Sequence, residues 1–181
     1  MIKKTFFLFQ ILCCLIVFTA CGNSEEEFDY SFKGLPDTET DSLTDTAGSV
    51  GYSVNAYTTI EKAQEAIGYS FAAPTDLPAG YTLDEISVVL NGAESFAQIN
   101  YKNGDSEITY RVSATTSNLN SDRTKYPDER EFNVFETTIN GLCQKDIIYV
   151  ATWTDNTFHY CLMASDGFDT TTTSKIIASM Q

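Results

Sequence analysis

Ile86-Ser87-Val88-Val89-Leu90, Phe96-Ala97-Gln98-Ile99-Asn100-Tyr101 and Ile108-Thr109-Tyr110-Arg111-Val112 decide the fold, because each alternates in polarity and the turn pairs Gly92-Ala93 and Asn103-Gly104 lie between them. Successive side chains of a strand point to opposite faces, so a turn assignment can be tested by the register it imposes. Paired positions of an antiparallel hairpin have a constant sum. With Gly92-Ala93 as the turn, Ile86 faces Ile99 and Val88 faces Ala97; with Asn103-Gly104, Ile99 faces Ile108 and Ala97 faces Tyr110. Both turns send the same apolar side chains to one face and leave Glu85, Ser87, Gln98, Asn100, Thr109 and Arg111 on the other. Two independent signals therefore predict one three-stranded meander.

A second meander follows a polar loop spanning residues 114–131. Asn140-Gly141 reads as a hairpin turn that sets Val134 against Ile147 and Phe132 against Tyr149. Asp155-Asn156 reads as the next turn, pairing Trp153 with Phe158, Ala151 with Tyr160 and Tyr149 with Leu162. Before the first meander, Thr58 and Glu61 have capping-box spacing, and Ile60, Ala63 and Ile67 form a helical stripe ending at Gly68. Pro74 and Pro78 then impose an extended crossing with apolar pegs at Phe71, Leu77 and Tyr81. A closing helix is predicted over residues 171–180, capped by Asp169 or Thr170, with Ile176, Ile177 and Met180 inward. The fold class expected is α+β, with about six antiparallel strands in two meanders and a helix from each end packed on one face.

Upstream of residue 57 the composition changes. Lys3 and Lys4 precede an apolar run from Phe6 to Phe18 that is too short for a lasting membrane span, which is the pattern of a signal peptide over residues 1–20. Thr19 and Ala20 directly before Cys21, with Gly22 after it, resemble the bacterial lipobox, although Phe18 stands where that motif usually has Leu. The resemblance implies lipid on the Cys21 thiol and membrane attachment through it; an ordinary cleaved signal would instead release a secreted protein. Residues 21–56 are acidic and poor in apolar side chains, and read as a disordered tether. A single domain over 57–181 is expected to follow.

The chain has 181 residues and a formal charge of 11 minus 25, or −14. Without residues 1–20, which carry Lys3 and Lys4 and no acid, it is 9 minus 25, or −16. This balance argues against nucleic acid as a partner, since phosphate binding needs a basic footprint. Of the five cysteines, Cys13 and Cys14 lie in the signal and Cys21 carries lipid, leaving Cys143 and Cys161. Register puts Cys143 on the face of Tyr149 and Trp153 but Cys161, opposite Val150, on the other face, which argues against a disulfide.

Chemistry-bearing sets are few. His159, Cys161 and Met163 alternate on one strand, yet ligands two apart are separated by about 7 Å, too far for one ion without further partners. His159 is the chain's one histidine, and nucleophile-elbow, phosphate-loop and dinucleotide patterns are missing from the sequence, so neither a catalytic set nor a cofactor is expected. One apolar patch remains: Ile148, Val150, Cys161 and Met163 share the reverse face of the last hairpin, where the first meander is polar. Either the C-terminal helix, the tether or another strand covers it, or it takes a hydrophobic ligand or partner.

Ile60-Glu61-Lys62-Ala63, Ala66-Ile67-Gly68-Tyr69, Pro74, Leu77-Pro78-Ala79-Gly80-Tyr81, Ile139-Asn140-Gly141, Trp153 and Ile176-Ile177-Ala178-Ser179-Met180 together resemble the bacterial family of domains of unknown function numbered 4367, over about residues 55–181. That resemblance implies an extracytoplasmic domain of a Firmicutes membrane protein or lipoprotein and supplies no catalytic residue. The expected function is a lipid-anchored, non-enzymatic domain on the outer side of the cell membrane that binds a protein or envelope component. The alternative is a carrier or sensor of a small hydrophobic ligand on the reverse face.

Overall fold

A computed structural model describes residues 51–181. In chain order the elements are β1 (Ser53–Tyr57), α1 (Ile60–Ile67), β2 (Thr82–Leu90), β3 (Phe96–Asn103), β4 (Ser106–Ser113), β5 (Asp128–Val134), β6 (Thr137–Gln144), β7 (Ile147–Thr154), β8 (His159–Phe168) and α2 (Thr170–Ala178). All strands join one antiparallel sheet in the order β1-β2-β3-β4-β8-β7-β6-β5. The α+β class stands, but the sheet has eight strands rather than about six. One addition is β1, at the end of the stretch read as a tether. The signal segment, Cys21 and residues 22–50 of that stretch lie outside the described residues.

The other addition comes from the Asn140-Gly141 pair, which is not a turn. Asn140 pairs with Glu131 on one side and Thr152 on the other, so β6 runs straight through it. The chain reverses instead at Phe135-Glu136 and Lys145-Asp146, where Phe135 (φ 52°) and Lys145 (φ 59°) take the left-handed conformation that the Asn-Gly pair advertised. Arg130 holds the second reversal by donating to Asp146 Oδ1 at 3.0 Å. A straight β6 buries both Ile139 and Cys143 completely, and this packing outweighs the local turn preference of Asn-Gly.

Elsewhere the faces follow the alternation even where the register slides. Ile86–Ile99 and Val88–Ala97 pair as the Gly92 turn requires. In the next hairpin Gly104 (φ 61°) leads the turn, and Ile99 pairs with Tyr110 rather than Ile108. The last hairpin slides in the same way, pairing Trp153 with Tyr160 rather than Phe158. Its loop is closed by the Asp155 carboxylate, which accepts from the Thr157 and Phe158 amides at 2.7 Å each. Each slide moves a partner by two positions, so the side chains next to these two turns keep their faces.

The helices form where the caps are. Thr59 Oγ1 accepts from the Lys62 amide, one residue later than the predicted cap, and Gly68 (φ 84°) ends α1. Asp169 accepts from the Thr172 amide at 2.7 Å and starts α2. Ala63 of α1 and Ile176 and Ile177 of α2 belong to the same buried cluster as Ile99, Ile108, Tyr110 and Trp153 of the sheet. Phe71, in the Pro-rich crossing, is buried in it as well, with Leu77 and Tyr81 packed against its edge. At about 1.5–3 kcal/mol for each large apolar side chain buried, this cluster supplies the main drive to order the domain.

A bulge in β7 splits the second meander between the two faces. Leu142 pairs with Val150 and Cys143 with Ile148, leaving Tyr149 as the extra residue. Across the bulge, Gly167 of β8 (φ 64°) passes so close that a β-carbon there would lie 2.4 Å from Ile147 Cγ2 and 2.8 Å from the Ile148 carbonyl oxygen. Ile148 therefore joins the helix-side cluster, correcting its placement with Val150 on the reverse face. Tyr149 moves the opposite way, packing on the reverse face against Tyr126 with ring centroids 5.1 Å apart.

Candidate functional site

Two regions of the reverse face bear on function. The first is the apolar patch expected from the sequence. Val150, Cys161 and Met163 do gather there, but they are buried, at 0 %, 0 % and 9 % exposure, beneath Leu119 at 1 %. Topology explains the cover. β4 lies at the middle of the sheet and β5 at its edge, so residues 114–127 must cross β8, β7 and β6 between two strands running in the same direction, a connection that takes about a dozen residues or more. Among the described residues the cover is thus this crossover, rather than the C-terminal helix or another strand.

Arg111 fastens the crossover. Its guanidinium donates to the Leu119 carbonyl at 2.9 Å and to Gln98 Oε1 at 2.7 Å, and lies 4.9 Å from the centre of the Phe96 ring. Burial pulls the Arg111 pKa down from its usual value, yet the pairing strand sets Cys161 opposite it. For Cys161, burial pushes the thiol up to about 12 and outweighs the lowering by Arg111, so this is an inert, packed thiol. Further along, Asp122 accepts from the Thr124 amide and from the Tyr126 hydroxyl, and the latter bond chiefly holds its carboxyl below the usual range. An apolar ligand could enter here only by displacing Leu119.

Cys143 and Cys161 are both free thiols, one in each buried cluster, as register required. His159, Cys161 and Met163 do share a side of β8, but Met163 Sδ is contacted by Ser121 Oγ at 3.6 Å and Cys161 is sealed. Among the described residues no group of three His, Cys, Asp or Glu side chains could hold a metal ion.

The second region was not foreseen. At the end of the sheet where β7 turns into β8, a cleft of about 710 Å³ opens, lined by Ser117 of the crossover, Glu136, Asn140 of β6, Thr152 and Thr154 of β7, Asn156 of the β7–β8 loop and His159 of β8; Trp153 adjoins it, but its side chain is buried in the helix-side cluster. Register brings these together: Asn140 pairs with Thr152, and Thr154 with His159. Thr138 adds a hydroxyl that is already engaged, donating to Asn133 Oδ1 at 3.1 Å. Asp155 is engaged too: burial pushes its carboxyl up, but bonds from Tyr160 and from the Thr157 and Phe158 amides prevail and hold it below the usual value. His159 Nδ1 is buried without a partner among the described residues. Thr152, Thr154 and His159 carry no motif that marks a site, and their convergence with Asn140 was not legible, because the sequence reading puts Asn140 in a turn.

The family described as Domain of unknown function (DUF4367) matches residues 72–180, which takes in everything from the Pro-rich crossing through α2. No curated protein and no solved structure matches the chain. Since that match covers more than half of the sequence, the chain belongs to the DUF4367 family of domains of unknown function.

Proposed function

We propose that this protein is a lipid-anchored binding domain on the extracytoplasmic face of the cell membrane, attached through Cys21 and acting by recognition rather than catalysis. The observation that carries the reading is Cys21 itself, preceded by Lys3, Lys4, an apolar run and the small pair Thr19-Ala20. Two acyl chains, at about 0.8 kcal/mol per buried methylene, suffice for stable anchoring. Support for recognition comes from the chemistry of the cleft, where most groups are neutral hydroxyls and carboxamides that hold a ligand without moving a proton. The partner is a protein or envelope component, and the net charge of −14 argues against nucleic acid.

Metabolic labelling with an alkyne fatty acid tests the anchor. Label should appear on the wild-type chain in the membrane fraction and be lost from Cys21→Ala; label that persists in that variant refutes the assignment. The alternative carrier of an apolar ligand draws no support from Val150, Cys161 and Met163, whose space Leu119 fills.

A further inference from the structure

The groups that line the β7–β8 cleft restrict the chemistry of its occupant. Among its lining residues there is no Lys or Arg, while Glu136 and Asp155 are acidic, so a phosphate or uronic acid would meet repulsion without a counter-charge. No Leu, Ile, Val or Met lines it either, so it has no subsite for an acyl chain or an aliphatic peptide side chain. What it does present are donors and acceptors not used by the fold. Among the described residues, the carboxamides of Asn140 and Asn156 and the hydroxyls of Thr154 and Ser117 make no hydrogen bond through their side chains, whereas Thr138 and Asp155 next to them do. A carboxamide donates and accepts at once, as does each hydroxyl of a sugar, and neighbouring sugar hydroxyls can be bridged by one Asn side chain. The volume, about 710 Å³, lies in the range of small-molecule sites and is open at one side, as a chain segment needs.

We infer that the cleft is a binding site for a neutral, hydroxyl-rich carbohydrate, with Asn140 and Thr154 as its principal contacts and Asn156 closing on the ligand from the β7–β8 loop. This names the ligand class for the binding-domain reading above and rests on it, though not on the lipid anchor. His159, between Thr154 and Ser113 in the sheet, positions the floor of the site.

Trp153 adjoins the cleft but its side chain is buried in the helix-side cluster, so occupancy is read by isothermal titration calorimetry rather than by tryptophan fluorescence. The full chain, in a detergent without a sugar headgroup, is titrated with neutral disaccharides and tetrasaccharides of glucose, galactose and N-acetylglucosamine. At least one should give a saturable change with Kd at or below about 1 mM. Amide NMR shifts should then concentrate at Thr152, Thr154 and His159. Asn140→Ala and Asn156→Ala, each with wild-type melting temperature, should weaken binding by about tenfold or more. Titrations of every saccharide that stay flat to about ten times that concentration overturn the carbohydrate assignment. So does binding that survives both substitutions, or saturation by a neutral tripeptide amide instead. If saccharides fail while the full chain still crosslinks to an envelope protein in cells, the carbohydrate inference falls and the binding-domain reading stands; if nothing is captured, both fall.

Discussion

The two faces of this sheet are closed by different means. On one, Ile99, Ile108, Tyr110, Ile139 and Trp153 meet Ala63 of α1 and Ile176 and Ile177 of α2 in one continuous cluster. On the other, Val150, Cys161 and Met163 are covered by a single loop that contributes Leu119 and Tyr126 and is fastened by Arg111. The first closure is made of regular elements, each with its own hydrogen-bonded backbone, and should open only when the domain unfolds. The second depends on one buried leucine and a few side-chain bonds, so it should open locally at lower free energy. Beside that weaker closure lies the polar cleft, where Ser117 of the same loop forms part of the lining.

The comparison breaks most severely at the bulge that distributes β7 between the faces. Gly167→Ala must place a β-carbon against Ile147 and the Ile148 carbonyl in a left-handed backbone. Left-handed strain and overpacking together should cost about 2–5 kcal/mol, read as a lower denaturation midpoint. An unchanged midpoint would mean that Ile148 and Val150 are not held apart in this way. Next in size, Leu119→Ala should cost about 2–3 kcal/mol, with hydrogen exchange accelerating in residues 114–127 well before it does in β2, β3 or α2. Uniform acceleration across the domain would make the two closures one cooperative unit.

A smaller effect, of opposite sign, should come from the helix-covered face. The Tyr110 hydroxyl is buried with no hydrogen-bond partner among the described residues, and burial drives its pKa well above the usual value. Tyr110→Phe removes the unpaired group while keeping the ring, and should raise stability by about 1 kcal/mol. Loss of stability would reveal a partner for that hydroxyl.

How much of this was legible follows from which residues speak locally. Gly68, Gly104, Asp169 and the alternation from Ile86 to Val112 act through their own backbone or nearest neighbours, and their elements and faces were readable even where the register slid by two. Asn140-Gly141 misled because the turn preference of a dipeptide is small beside the burial of Ile139 and Cys143 on either side of it. β1 was hidden because the edge strand Ser53–Tyr57 is mostly exposed and shows no buried alternation. Leu119, a lone apolar residue in a polar loop, has no periodic neighbours to mark it, and its burial depends on where β5 pairs. The cleft was illegible for the same reason: Asn140, Thr154 and Ser117 converge only once the sheet order is known.

The smallest effect expected is on acid stability. Asp122, through Tyr126, and Asp169, through the Thr172 amide, are both held below their usual value of 3.8 in the folded state. A folded value below the unfolded one contributes stability that is present above pH 3.8 and lost as pH falls through the folded values. Asp122→Asn should flatten that loss, with the remaining slope coming from groups such as Asp169 on the helix-covered side. An unaltered acid profile would remove Asp122 from the fastening of the loop.

Nature has placed one free thiol beneath each closure, Cys143 under the helices and Cys161 under the loop. Pulsed alkylation of the native protein followed by mass spectrometry reads both at once. Both thiols should be protected in the wild type, and Leu119→Ala should expose Cys161 to alkylation while Cys143 stays protected. Equal labelling of the two, labelling of Cys143 first, or a disulfide joining them would contradict a sheet closed firmly on one face and lightly on the other.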